Sequence, residues 1–144
     1  MIPAKVRSLA APALAVLVSC APHISQFSPI AYEQATELKV DAQALMARAA
    51  EPYPKHEDDV IALTLRLEKA YEFARGRPRN EISARQWAIL ADSTRNLLGG
   101  FLARWKRETS LSPAFISEAR QLVAQAFDTI IGLESGKLKE KDVR

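Results

Sequence analysis

The sequence predicts an all-α protein, a small up-down antiparallel helical bundle of about four helices that follows an N-terminal segment of different character. Three observations carry this. Apolar residues recur at alternating spacings of three and four, the period of one helix face. No stretch shows the period-two alternation that a half-buried strand requires. The punctuation is helical, with two Ser-Pro starts and only 5 glycines in 144 residues. A chain that is 48% hydrophobic and 26% charged is globular in composition, and its length suits one domain.

The bundle is expected over 29–136. Ser28-Pro29 reads as an N-cap followed by proline at the first helical position. Ala31, Ala35, Leu38, Ala42, Leu45 and Ala49 then form a seam whose alanines let a neighbouring helix approach closely. Glu51-Pro52-Tyr53-Pro54 ends that helix. A second helix is expected from about Lys55 to Arg75. Its seam is Val60, Leu63, Leu67, Ala70 and Ala74, with Ile61, Leu65 and Tyr71 widening the apolar face. Gly76 stops it and Pro78 prevents its resumption.

The third region is broken. Residues 77–82 read as a loop, and Ser83 with Gln86 reads as a capping box for a short helix through Trp87, Ile89 and Leu90. Asp92-Ser93 reads as the cap of another, carrying Leu97, Leu98, Phe101, Leu102 and Trp105. Gly99-Gly100 sits inside it, and each glycine costs about 1 kcal/mol against alanine in a helix. Either the pair breaks the helix or it admits a close neighbour, and close approach is the preferred reading. Ser112-Pro113 opens the last helix, with Phe115, Ala119, Leu122, Ala126 and Ile130 as its seam, flanked by Ile116, Val123 and Phe127. Gly132 or Gly136 ends it, and 137–144 is a charged tail. No internal repeat signature accompanies the two Ser-Pro starts.

The first 19 residues differ from the rest. Lys5 and Arg7 give a cationic start, and Leu9 to Val18 form an apolar run. At 1.5 Å per residue that run spans about 15 Å, half of a bilayer's hydrocarbon core, so it fits a secretory signal rather than a membrane span. It ends in Leu17-Val18-Ser19-Cys20, which resembles the lipobox of bacterial lipoproteins. The resemblance covers this segment alone. It implies cleavage between Ser19 and Cys20, a diacylglycerol thioether on Cys20, and acylation of the new amino group. Two or three acyl chains anchor stably where one is marginal. That covalent lipid is the sole non-protein group expected, with no cofactor and no metal. Ala21, rather than aspartate, follows the cysteine, which in a cell with two membranes favours the periplasmic face of the outer membrane. Residues 20–28 form a lipidated tether, the last eight of which reach at most about 28 Å. Cys20 is the only cysteine, so the mature domain has no thiol for a disulfide in an oxidising compartment.

The formal charge of +3 falls to +1 without Lys5 and Arg7, so the overall charge does not argue for a nucleic-acid partner, and none is expected. Its distribution is uneven. Residues 20–74 carry 5 bases against 9 acids, whereas 75–107 carry 8 against 2. The basic block opens at "RGRPR", and Arg75, Arg77, Arg79 and Arg85 are its candidate contact surface for anionic headgroups or an acidic partner. Neutralisation of the chain's own acidic first half is the competing reading. Trp87 and Trp105 lie inside this block and are expected in the core.

Catalytic signatures are sparse. His56-Glu57-Asp58-Asp59 is the densest polar cluster, and a metal would use His56 with Asp59. Val60 occupies the i+4 position where a second histidine would stand, and His23, in the tether, is the only other histidine. Acids in a first helical turn already have a role against the helix dipole. No nucleophile motif and no phosphate loop is present. The expected function is a membrane-anchored extracytoplasmic lipoprotein, noncatalytic, acting through protein or envelope contacts. The alternatives are a periplasmic binder of an apolar small ligand held within the bundle, and a small metal-dependent or hydrolytic enzyme using His56 and its neighbouring acids.

Overall fold

The computed structural model describes residues 25–143. The signal segment, Ser19, Cys20 and His23 lie outside the described residues. Within them the chain is an all-α bundle of five α-helices: α1 Pro29–Met46, α2 Glu57–Gly76, α3 Glu81–Ala91, α4 Leu98–Glu108 and α5 Pro113–Glu134. Short 3₁₀ turns cover Tyr53–Lys55 and Glu140–Asp142.

Both Ser-Pro starts form as their chemistry dictates. The Ser28 hydroxyl accepts from the Ala31 amide at 3.2 Å, and Ser112 accepts from Phe115 at 3.3 Å. The helix α1 seam faces inward, from Ala31 through Leu45, and Ala49 remains buried in the turn beyond it. Polar pairs between helices fix the directions. Lys39 meets Asp128 and Gln43 meets Arg120, so α1 runs antiparallel to α5. Arg66 meets Asp41 and Glu37, so α2 returns alongside α1. Trp87 packs edge-on against Phe127 at 5.9 Å, joining α3 to α5. Helices α3 and α4 have 11 residues each, half the length of α5.

The third region departs from expectation in its boundaries. Helix α3 begins at Glu81, not after Ser83, because the Ser83 hydroxyl is committed to a buried carboxylate, Glu134. Asp92 does not cap α4. Its carboxylate holds the Thr94 amide at 2.8 Å and the Thr94 hydroxyl at 2.7 Å, closing a turn just after α3. The next helix starts only at Leu98, which places Gly99 and Gly100 in its first turn rather than its middle. There they admit close backbone approach. A Cβ on Gly99 would overlap the Ala91 carbonyl, and one on Gly100 would overlap the Arg95 carbonyl.

The apolar face of α5 is rotated from its expected position, while that of α2 keeps its expected seam, Val60, Leu63, Leu67, Ala70 and Ala74, and is narrower than expected. The buried line of α5 is Ile116, Ala119, Val123, Phe127 and Ile130, so the residues first read as flanks are the core, and Leu122 is exposed. On α2, Ile61 and Leu65 face outward, because contact on either side of the seam does not extend to them. Helix α5 ends at Glu134, where Gly136 adopts φ 71 and its amide returns to the Leu133 carbonyl. Leu138 then covers Gly132, leaving no room for a side chain there.

Candidate functional site

Four elements meet at the end of the bundle where the described chain begins, here called the near end. They are the start of α1, the end of α2, the start of α3 and the end of α5, and the last three are joined through Glu134. Its side chain is 1% exposed. One carboxylate oxygen pairs with the Arg77 guanidinium, whose side chain is 13% exposed. The other accepts from Ser83 and, at 3.3 Å, from Asn80. Asn80 also donates to the Ala74 carbonyl at 3.0 Å, and Arg77 donates to the Gln26 carbonyl. A buried carboxylate is tolerable only with such partners, and here both oxygens are met by donors, one by Arg77 and the other by Ser83 and Asn80.

The backbone explains why these groups coincide. Gly76 ends α2, Arg77 is extended, and Pro78 holds the chain out of helix. Arg79 then adopts φ 57, which turns the chain into α3 and brings Asn80 and Ser83 over the end of α5. Of the four arginines proposed as a basic surface, Arg77 is thus turned inward, whereas Arg75, Arg79 and Arg85 are exposed. Arg75 bonds Glu72 at 2.6 Å and lies 5.9 Å from the Tyr71 ring centre. That hydrogen bond, followed by the charges of Glu72 and Tyr71, raises the guanidinium above its ordinary pKa.

At the opposite, far end lies His56. It is 7% exposed, packs with its ring tilted at 5.4 Å from that of Trp105, and places its two ring nitrogens 3.2 Å from Glu51 and 3.7 Å from Asp59. Trp105 donates to the Glu51 carbonyl at 3.0 Å and meets Tyr53 edge-on at 5.6 Å. The sequence pairing of His56 with Asp59 is therefore brought together, but as part of a packed aromatic corner. Among the described residues no group of three or more His, Cys, Asp or Glu is arranged to hold a metal. Trp87 and Trp105 are both buried.

An open groove of about 300 Å³ separates α4 from α5. Leu97, Phe101, Phe115 and Leu122 form its apolar lining, with Arg104 and Glu118 among its polar neighbours. Phe101 and Phe115 stack at 5.9 Å, and the Arg104 guanidinium lies 4.1 Å from the Phe115 ring centre.

Glu134 and Asn80 carry no motif that marks them in the sequence, and Ser83 reads there only as a helix cap. The available signal was the position of Glu134, one turn beyond Ile130 on the buried line of α5. A carboxylate on that line demands a partner from another element.

Comparison with known proteins gives no match: no family model, no curated protein and no solved structure aligns significantly with the chain.

Proposed function

We propose that the chain is a membrane-anchored extracytoplasmic lipoprotein that is noncatalytic and acts through protein or envelope contacts. The observation that carries the reading is Leu17-Val18-Ser19-Cys20 at the end of a cationic and apolar leader. Two features of the folded part support it. Helix α1 starts at Pro29, so the bundle follows Cys20 after a short tether and would stand close to the bilayer. His56, the one histidine of the bundle, is buried against Trp105 with Nε2 3.2 Å from Glu51 and Nδ1 3.7 Å from Asp59, surroundings that suit a packing role. No helix among the described residues is long and apolar enough to cross a membrane.

The test is the intact mass and membrane partition of the full chain against Cys20→Ala. The parent is expected in membranes as a chain beginning at residue 20 and carrying acyl mass. The variant should retain its leader and lack that mass. A parent chain recovered with Met1 and a free thiol would overturn the reading.

The α4–α5 groove favours a second reading, binding of a small apolar ligand. The site would be a surface groove rather than a cavity within the bundle. Its size suits the lower end of small-ligand sites. A fatty-acyl probe whose binding is unchanged in Phe115→Asp would exclude it.

A further inference from the structure

We infer that the near end of the bundle rests on an anionic lipid surface, tip first, an orientation that builds on the anchored reading above. Three of the seven exposed large hydrophobics among the described residues are Phe27, Ile30 and Tyr32, clustered where the chain enters α1. Phe27 and Tyr32 are ring neighbours at 6.3 Å. With about 100° of turn per residue, Ile30 and Tyr32 fall on opposite flanks of the inward-facing Ala31. They form a collar around the first turn rather than a stripe along the helix. A stripe suits a partner helix, whereas a collar at a tip suits a plane lying across the helix axis.

The surroundings match a headgroup layer. A crevice bordered by Phe27, Ser28, Arg77 and Arg79 sets the apolar collar directly beside the "RGRPR" loop. Arg75 and Arg85 are exposed on the elements that this loop connects, and Lys137 follows α5 at the same end. Aromatic and aliphatic side chains flanked by long cations are the composition of a membrane-interface contact, in which cationic tips reach phosphate while their stems cover apolar surface. The Glu134 carboxylate at this end is withdrawn into the interior by Arg77, Ser83 and Asn80, which keeps its charge off the contact plane. The chain preceding Ser25 also enters at this tip, so a lipid at Cys20 would hold this end, and not the α4 corner, against the bilayer.

The experiment uses the chain from Cys20 to Arg144. The buried apolar residues of the described bundle all lie between Ala31 and Leu133, and the shortened chain is used once its helix content and melting midpoint match those of the full chain. Its single thiol is coupled to a maleimide lipid in vesicles of phosphatidylcholine or phosphatidylglycerol, and amide exchange is mapped. On phosphatidylglycerol, amides of 25–34 and 77–86 should exchange roughly tenfold more slowly than on phosphatidylcholine, with 98–108 unchanged. The variant Phe27→Ser/Ile30→Ser/Tyr32→Ser should lose this protection while keeping the parent's helix content and melting midpoint. Ile61→Ser/Leu65→Ser should keep it. Equal exchange on both lipids, protection of α4 instead, or full protection in the triple variant would overturn the inference. Protection of 25–34 in the full chain without vesicles, lost when the leader is removed, would assign the collar to the leader and also overturn it. Because the anchor is synthetic, these results are independent of whether cells acylate Cys20, which the mass measurement reads separately.

Discussion

The two ends of the bundle solve the same closure problem with different chemistry. At the near end, α2, α3 and α5 are tied through one buried carboxylate and its donors, Arg77, Ser83 and Asn80. At the far end, closure is aromatic and backbone-based. Trp105 fills the corner between Tyr53 and His56, the Tyr53 amide donates to the Thr109 carbonyl at 2.7 Å, and the Leu111 amide donates to the Ala49 carbonyl at 2.8 Å. The difference separates stabilisation from specification. Aromatic packing stabilises through area and contact. A buried ion pair returns little net energy, because desolvation offsets attraction, yet it penalises any arrangement that leaves one charge alone. The near end therefore has a fixed arrangement more than a strong one.

Trp105→Ala tests the aromatic end and should have the largest effect. Removing a fully buried indole with its hydrogen bond to Glu51 should cost roughly 4 kcal/mol, read as a lower urea midpoint. The near end should respond asymmetrically. Arg77→Ala strands Glu134 in the interior and should cost about 3 kcal/mol. Glu134→Gln retains an amide able to bond Ser83 and leaves Arg77 a route to solvent, so a loss of about 1–2 kcal/mol is expected. Equal losses in the two variants would mean that the buried carboxylate is not what constrains the site.

The same contrast explains what was legible in the sequence. The apolar seams and the two Ser-Pro caps, one at each end of the bundle, declare themselves through spacing and local chemistry. Helices α1, α2 and α5 and the buried tryptophans could thus be read in advance. The choice between the Leu122 and Val123 lines of α5 could not, because both are apolar and only the position of the neighbouring helices selects one. The near-end cluster was harder still. Ser83 looks like a cap by local rules, and its true partner stands 51 residues away. Its role is set by tertiary contact, which overrides a local capping preference.

Glycine substitutions sharpen the comparison in the middle of the chain, where α3 turns into α4. Gly100→Ala places a methyl group against the Arg95 carbonyl, which is backbone and cannot rotate aside. A loss of about 1–3 kcal/mol is expected, with the turn between α3 and α4 opening first in hydrogen exchange. Gly76→Ala is the control. Nothing stands within 4 Å of its Cβ, and it occupies the last position of α2. A neutral or stabilising change of up to about 1 kcal/mol is expected.

The smallest effect concerns Asp92 in that same turn. Hydrogen bonds from the Thr94 hydroxyl and then the Thr94 amide hold its carboxyl below the ordinary carboxylate pKa. A carboxyl whose folded pKa is depressed contributes stability that is fully present above its unfolded pKa, about 3.9 for aspartate. The contribution disappears as pH falls through the lower, folded value. Because the Asp92 side chain is 36% exposed, solvent screening keeps the effect small. Asp92→Ala should therefore lower the melting midpoint slightly at neutral pH, and its gap to the parent should close as the solution is acidified below the carboxylate range. A gap that stays constant with pH would assign the turn to Thr94 and the glycines alone, and would remove charge from the account of how α3 passes into α4.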